Sequence, residues 1–259
     1  MNQNYLNKIT CGDSIEVMKN LDDASVDLIC TSPPYNLRQS TGNGFKSTGK
    51  NKKWTNAEIK NGYDGFDDMM PHDEYVKWQK ECLTEMMRLI KDDGAIFYNH
   101  KWRVQSGLIQ DRQDIVKDFP VRQIIIWQRA GGMNFNDGYF VPTYEVIYLI
   151  CKPKFKLAKK ANGMGDVWKI NQERNTNHPA PFPIELPLKI IGATNAKIIL
   201  DPFSGIGTTS LAACKLNRDY IGIEKSQKYC DIANSRISDF MKERDNPSQQ
   251  ELPFVSKDM

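Results

Sequence analysis

Apolar residues fall into short runs separated by polar stretches, and two periods alternate along the chain. The runs VDLIC (26–30), AIFYN (95–99), VRQIIIWQ (121–128), EVIYLIC (145–151), AKIILD (196–201) and YIGIE (220–224) are short and rich in β-branched or aromatic residues. Turn-forming residues bound them, so they predict buried strands. Between the first two runs and elsewhere the period changes. Trp78, Cys82, Met86, Leu89 and Ile90 recur at helical spacing, which predicts an amphipathic helix over 73–90 ending near Gly94. Further helices are predicted over 14–20, over 183–194, through LAACKLN (211–217) and over 226–243. Strands alternating with helices argue for an α/β protein with an open sheet and helices on both faces. Residues 36–66 and 152–178 are polar and irregular. The pattern predicts a single domain over 1–243 with a loop insertion at 38–66, and a mobile, apolar-poor tail at 244–259.

Composition narrows this little. The 259 residues are 40% hydrophobic and 26% charged, as in ordinary globular proteins. No apolar run approaches the ~18–20 residues of a membrane span, and the N-terminus lacks a signal-peptide pattern, so a cytoplasmic protein is expected. Six cysteines stand without a C-x-x-C pair, which disfavours a zinc site or a disulfide framework. No metal is expected. A net charge of +3 says less than where the charges lie.

The chemistry concentrates in two places. In IILDPFSGIGTT (198–209) a strand ends on a carboxylate and a glycine-containing turn opens a helix. Such a turn lets backbone approach a ligand and presents N–H groups to an anionic part of it. Glu224 ends the next strand, about 20 residues on, where an acid typically holds ribose hydroxyls. The turn has neither dinucleotide nor P-loop spacing, so a cofactor with an adenosine and no phosphates fits better. The second place is TSPPYNL (31–37), straight after a strand. Two consecutive prolines make a stiff corner that cannot join a sheet ladder.

Together TSPPYNL and DPFSGIGTT resemble the amino-group DNA methyltransferases, whose catalytic motif is [DNS]-P-P-[YFW] and whose cofactor motif is D-P-F-x-G-x-G-T. Here the catalytic motif comes first, with about 170 residues between, an order similar to the β class. The likeness runs from ITCGDSIEVMKNL (9–21) to YIGIEKSQKYCDIA (220–233), with HPAPFPIELPLKII (178–191) matching the family's segment before the cofactor motif. The resemblance implies a Rossmann-like methyltransferase sheet with irregular DNA-facing loops, and S-adenosyl-L-methionine as cofactor. It implies that Asp13 meets the adenine and Glu224 the ribose. Asp201, Phe203, Ser204, Gly205 and Thr208 would surround the methionine end, with Thr31, Ser32, Pro202 and Gly207 alongside and His178 and Pro179 nearby. Asp13 alone also suits a helix cap.

The catalytic set implied is Ser32, Pro33, Pro34 and Tyr35. An exocyclic amine is a poor nucleophile, because its lone pair is delocalised into the ring. Two acceptors on its protons, the Ser32 hydroxyl and the Pro33 carbonyl, would turn that lone pair toward the methyl group. Tyr35 would stack on the flipped base. The proton is expected to leave to water, without a strong general base. Cys30 should point into the sheet, which disfavours C5-cytosine chemistry. Serine at the first motif position leans to N4 of cytosine, with N6 of adenine the alternative and a protein-glutamine or RNA substrate more remote. A restriction-modification enzyme, or a solitary or phage one, would fit.

Arg38, Lys46, Lys50, Lys52 and Lys53, with Trp54 interleaved, suit phosphate contacts and intrusion into the base stack. Arg129 is a cleft candidate, and 152–178 a short target-recognition region. QQELPF (249–254) resembles the peptide that replication proteins insert into the sliding clamp, with Gln249, Leu252 and Phe254 as its motif residues. DNA, a clamp and a second copy of the chain are thus the partners to consider.

Overall fold

The structure is a computed structural model, which describes residues 3–36, 70–105, 107–131, 137–171 and 183–245. Its centre is an eight-stranded sheet. In chain order the strands are β1 (Lys8–Cys11), β2 (Val26–Thr31), β3 (Ile90–His100), β6 (Val121–Gln128), β7 (Tyr144–Cys151), β8 (Val167–Lys169), β9 (Ile198–Asp201) and β10 (Asp219–Glu224). A separate hairpin pairs β4 (Arg103–Gln105) with β5 (Leu108–Gln110). The spatial order of the sheet is β1-β10-β9-β2-β3-β7-β6-β8. All neighbours are parallel except at β7, which runs antiparallel to both β3 and β6.

Both faces are covered, and the strand sequences show why. Along β3, Ala95 and Phe97 enter one apolar cluster while Ile96 and Tyr98 enter the other. In β7, Ile147, Leu149 and Cys151 alternate in the same way with Val146, Tyr148 and Ile150. A strand buried on both faces has no polar side to spare, which is why these runs are nearly continuous in apolar residues. Helices α1 (Ser14–Lys19), α2 (His72–Leu89) and the short α3 (Gln113–Val116) close one face. Helices α4 (Glu185–Gly192), α5 (Thr208–Lys215) and α6 (Gln227–Asp245) close the other.

Several elements depart from the sequence expectation. Helix α2 does not end in a glycine turn, because the chain passes at Ile90 straight into β3. The pairing with β2 then shifts register between Val26 and Leu28, so the KDDG segment is an irregularity inside a strand. Gly94 is required there by contact, since a Cβ would lie 2.8 Å from the Ile90 Cβ. The region 152–178, expected to be irregular, contains β8 and a 3-10 turn at Ala161–Gly163. The edge strands β1 and β8 and the β4–β5 hairpin have no counterpart in the sequence expectation, since each strand is only three or four residues long. Among the described residues, no helix is long and apolar enough to cross a membrane.

The sheet order sets the location of the site. The β9–α5–β10 unit leads to one side of β9, and the β2–α2–β3 unit leads to the other side of β2. Between the carboxyl ends of β9 and β2 lies the crevice where open α/β sheets bind ligands.

Candidate active site

The crevice is stitched together by side chains from both strands. Thr31 Oγ1, at the end of β2, donates to Asp201 Oδ1 at the end of β9 over 2.6 Å. The same oxygen accepts from the Phe203 N–H at 3.1 Å. Burial pushes the Asp201 carboxyl up to about 6, although hydrogen bonds from Thr31, Thr209 and the Phe203 N–H pull it down. A carboxylate held this way fixes the DPF turn against β2. Ser14 Oγ donates to the Pro202 carbonyl at 2.5 Å, and the Trp78 and Phe203 rings meet edge to face at 5.6 Å.

The turn after Asp201 then bends sharply. Gly205 and Gly207 have φ of 51° and 78°, the left-handed region that favours glycine. At Gly207 a Cβ would also meet the Ala233 Cβ of α6 at 2.8 Å. The bend brings the Gly205 N–H to Glu224 Oε2 (2.8 Å), while Oε1 accepts from the Ser226 N–H (2.9 Å). Asp13 stands nearby, because the Gly12 N–H bonds the Glu224 carbonyl at 2.9 Å. Asp13 Oδ1 caps α1 through the Ile15 and Glu16 N–H groups, the alternative role open at that residue. Its Oδ2 lies 3.7 Å from Lys225 Nζ. Two carboxylates and the N-terminus of α5 thus gather at one end of the sheet. They suit a ligand with hydroxyl, amine and carboxylate groups, as in S-adenosylmethionine. Ser204 and Ser210 Oγ are buried without hydrogen-bond partners and lie over Gly222, whose own Cβ would be 2.9 and 3.2 Å from them.

The SPPY corner continues β2 beyond Thr31. Tyr75, fully buried on α2, places its hydroxyl 2.9 Å from the Pro34 carbonyl and 2.8 Å from His100 Nε2. Gln79 Nε2 donates to that hydroxyl at 3.0 Å, and Tyr98 donates to Gln79 Oε1 at 2.6 Å. Burial, with the Arg112 charge adding, holds His100 well below the usual histidine range, so the ring is neutral at neutral pH. The corner is therefore anchored by a buried chain of hydrogen bonds from two elements, α2 and β3.

Ser32 sits in a second polar cluster. Its Oγ is 2.6 Å from the Tyr35 hydroxyl and 3.3 Å from Asn99 Nδ2. Tyr35 donates to Glu145 Oε2 (3.0 Å), and Asn99 Nδ2 reaches both Tyr35 Oη (2.6 Å) and Glu145 Oε2 (3.0 Å). The Tyr35 ring packs against His100 with centroids 5.0 Å apart. Arg129, a cleft candidate in the sequence, is largely buried and pairs with Glu145 Oε1 at 3.3 Å. Asn99 and Glu145 escape a sequence reading because each lies inside an apolar strand run. The signal is there: a single acid opens EVIYLIC and a single amide ends AIFYN. Cys30 is fully buried, and burial pushes its thiol well above the usual range, the inward placement expected of it. Arg38, Lys46, Lys50, Lys52, Lys53, Trp54, His178 and Pro179 lie outside the described residues, as do Gln249, Leu252 and Phe254.

Comparison with known proteins agrees with this geometry. A family model described as DNA methylase (N6_N4_Mtase) matches residues 26–235. The type II methyltransferase M.BglII of Bacillus subtilis is 29% identical over 287 residues, covering 93% of this chain and 72% of that protein. The type II methyltransferase M.HinfI of Haemophilus influenzae is 29% identical, covering 96% and 72%. Among solved structures, the Thermus thermophilus protein TTHA0409 complexed with S-adenosyl-L-methionine superposes with a TM-score of 0.65 at 24% identity, covering 93% and 95%. PvuII DNA methyltransferase (cytosine-N4-specific) gives 0.66 at 18%, covering 91% of each chain. At such identities the structural likeness establishes the Rossmann-like methyltransferase fold. The family match goes further: this chain belongs to the DNA methylases that move a methyl group from S-adenosylmethionine to an exocyclic N6 or N4 amine of a DNA base.

Proposed function

We propose that the enzyme methylates one defined DNA site in the cytoplasm, that the target is N4 of cytosine, and that Ser32 and the Pro33 carbonyl are the acceptors that orient the amine. The observation that carries the reading is the placement of Ser32. It lies one residue past Thr31, whose hydroxyl is bonded to Asp201 of the cofactor turn. The methyl donor, when bound, supplies an electrophilic methyl on a positively charged sulfur. The protein's part is orientation. Ser32 and Pro33 accept the two amine protons, which turns the nitrogen lone pair out of the base plane. Tyr35, fixed by its hydroxyl and by His100, is a rigid wall for a base drawn from the stack. Asp13 and Glu224 take the adenosine end of the cofactor, with His178 and Pro179 assigned near it by the family resemblance. Asp201 holds the turn formed by Pro202, Phe203, Ser204, Gly205, Gly207 and Thr208 around its methionine end.

The basic loop with Arg38, Lys46, Lys50, Lys52, Lys53 and Trp54 serves phosphate binding and entry into the stack, with 152–178 sharing target recognition. Serine at the first motif position supports N4 of cytosine over N6 of adenine. The tail peptide at Gln249, Leu252 and Phe254 supports recruitment by a sliding clamp, tested by titrating the labelled peptide with purified clamp. A lack of micromolar binding, or binding indifferent to Phe254→Ala, removes that partner. A homodimer is tested by sedimentation.

Purified enzyme with labelled cofactor and duplex DNA, followed by mass spectrometry of the nucleosides, tests the whole. N4-methylcytosine is expected. N6-methyladenine would move the reading to the other base, and label in RNA or protein alone would overturn it.

A further inference from the structure

The cluster around Ser32 has a direction. Glu145, as a carboxylate, accepts only. The hydroxyl hydrogen of Tyr35 is therefore the one shared over 3.0 Å with Oε2. Asn99 must turn its nitrogen toward the same oxygen, and its two hydrogens are taken by Glu145 (3.0 Å) and Tyr35 Oη (2.6 Å). With its own hydrogen spent on Glu145, Tyr35 can only accept from Ser32 at 2.6 Å. Ser32 thus gives its hydrogen inward, and beside the long contact from Asn99 Nδ2 at 3.3 Å it keeps an oxygen lone pair for the amine. Reversing one link would leave Ser32 a donor toward the amine, and the amine has no acceptor in its ring plane to offer a donor there.

We infer that Glu145 is the positioning residue that makes Ser32 a hydrogen-bond acceptor and that it receives, through Ser32 and Tyr35, the proton the amine loses. This rests on the reading of Ser32 given above. As the methyl group transfers, the amine nitrogen gains positive charge and sheds one proton in the same rate-determining step. The N–H bond breaks as a new O–H bond forms at Ser32 Oγ. Ser32's original hydrogen passes to Tyr35 Oη, and Tyr35's passes to Glu145 Oε2. One proton enters the chain and one resides on Glu145, which ends as a neutral carboxyl. No electrons change hands. The proton returns to solvent between turnovers. This replaces the sequence-based expectation that the proton leaves directly to water.

The groups facing Glu145 come from every adjoining element. Arg129 follows β6 and pairs with Oε1 at 3.3 Å. Asn99 comes from the end of β3, and Tyr35 from the corner after β2, with His100 against its ring. Lys101, its ammonium held down by burial with Arg129 and Arg103 adding, is pulled the other way by the charge of Glu145. Glu145 itself is only 6% exposed, so water does not compete for its inner oxygen.

The test uses the full chain, saturating S-adenosylmethionine and a methylatable duplex, with rapid-quench single turnovers followed across pH. Glu145→Gln keeps the shape and removes the proton acceptor. Its transfer rate should fall at least about 100-fold, the usual lower range for a lost acid–base function, while cofactor affinity and the KM for DNA stay within about twofold. The wild-type rate should be level between about pH 6 and 8, whereas the variant's should climb with pH, because solvent base must now take the proton. Tyr35→Phe leaves the Glu145–Arg129 pair intact and should show the same climb, which keeps the inference decidable if Glu145→Gln does not fold. A folded variant of either kind with wild-type rate and a level profile overturns the inference. Ser32→Ala separates the two readings. If it is slow while Glu145→Gln is normal, only the proton route fails. If Ser32→Ala is itself normal, the acceptor role of Ser32 fails first.

Discussion

Replacing Asp201 by Asn should make the protein more stable at neutral pH while impairing its cofactor site. The carboxyl is fully buried, and burial raises it from 3.8 to about 6 against three hydrogen bonds that stabilise the ionised form. In the unfolded chain it ionises near its ordinary value. Between those two values the native state therefore binds more protons than the unfolded state, so this group's contribution to stability falls as pH rises. The contribution is fully present below about 3.8 and lost above about 6. A shift of about two units corresponds to roughly 3 kcal/mol. Asn cannot ionise, and its carbonyl can still accept from Thr31 and the Phe203 N–H. The assay is urea unfolding of both proteins from about pH 4 to 8. The variant should gain up to about 3 kcal/mol at the alkaline end, and the gain should shrink toward zero at the acid end. Buried His100, held below its usual range, gives an opposite pH trend, but it is common to both proteins and cancels in the difference. A variant less stable than wild type at pH 8, or a difference that does not change with pH, would refute the reasoning.

Other outcomes follow from single contacts. Gly207→Ala combines a left-handed backbone with a 2.8 Å approach to Ala233 Cβ, and should cost about 2–4 kcal/mol in denaturant unfolding; a loss below about 1 kcal/mol would mean that α6 yields freely. Thr31→Val removes the 2.6 Å donor to Asp201 and should cost about 1–3 kcal/mol at neutral pH. That loss should be smaller below pH 4, where Asp201 is protonated, and a pH-independent loss would point to packing alone. Tyr75→Phe frees the Pro34 carbonyl and should lower kcat with cofactor Kd unchanged, read by single turnover and calorimetry; an unaltered kcat would show that the prolines alone hold the corner. Changing Lys50, Lys52 and Lys53 together to Ala should reduce the slope of log K for DNA against log salt by about 2–3, and an unchanged slope would remove the loop from the phosphate contacts.

The central strands are legible in the sequence because burial on both faces leaves nearly continuous apolar runs, as in EVIYLIC. The same rule conceals the site's second half. Glu145 and Asn99 each look like a lone polar residue at a strand end. Only the pairing of β3 with β7, where Asn99 faces Ile147 and His100 faces Val146, shows that they share one edge. Short edge strands escape for a different reason. KITC and VWK carry too few residues for a period, and their conformation comes from the neighbour they pair with. The cofactor turn is readable in outline because its glycines and acids must occur in that order on a strand–turn–helix. That Asp201 binds Thr31 across the crevice is not readable, since the contact spans two units far apart in sequence.

One reversed strand has a further consequence for how such an enzyme could be diversified. Because β7 runs against its neighbours, its beginning and the end of β6 lie together at the active edge, with Gln128 opposite Tyr144. The connection between them leaves that edge at Arg129 and returns to it at Thr143, whose carbonyl accepts from the Arg129 N–H at 2.7 Å, with Glu145 just inside β7. Both of its feet are thus bolted to each other by an ion pair. A segment spliced into this arch would be delivered beside Ser32 without disturbing any strand of the sheet, so the arch is a natural grafting point for altering what the enzyme reads.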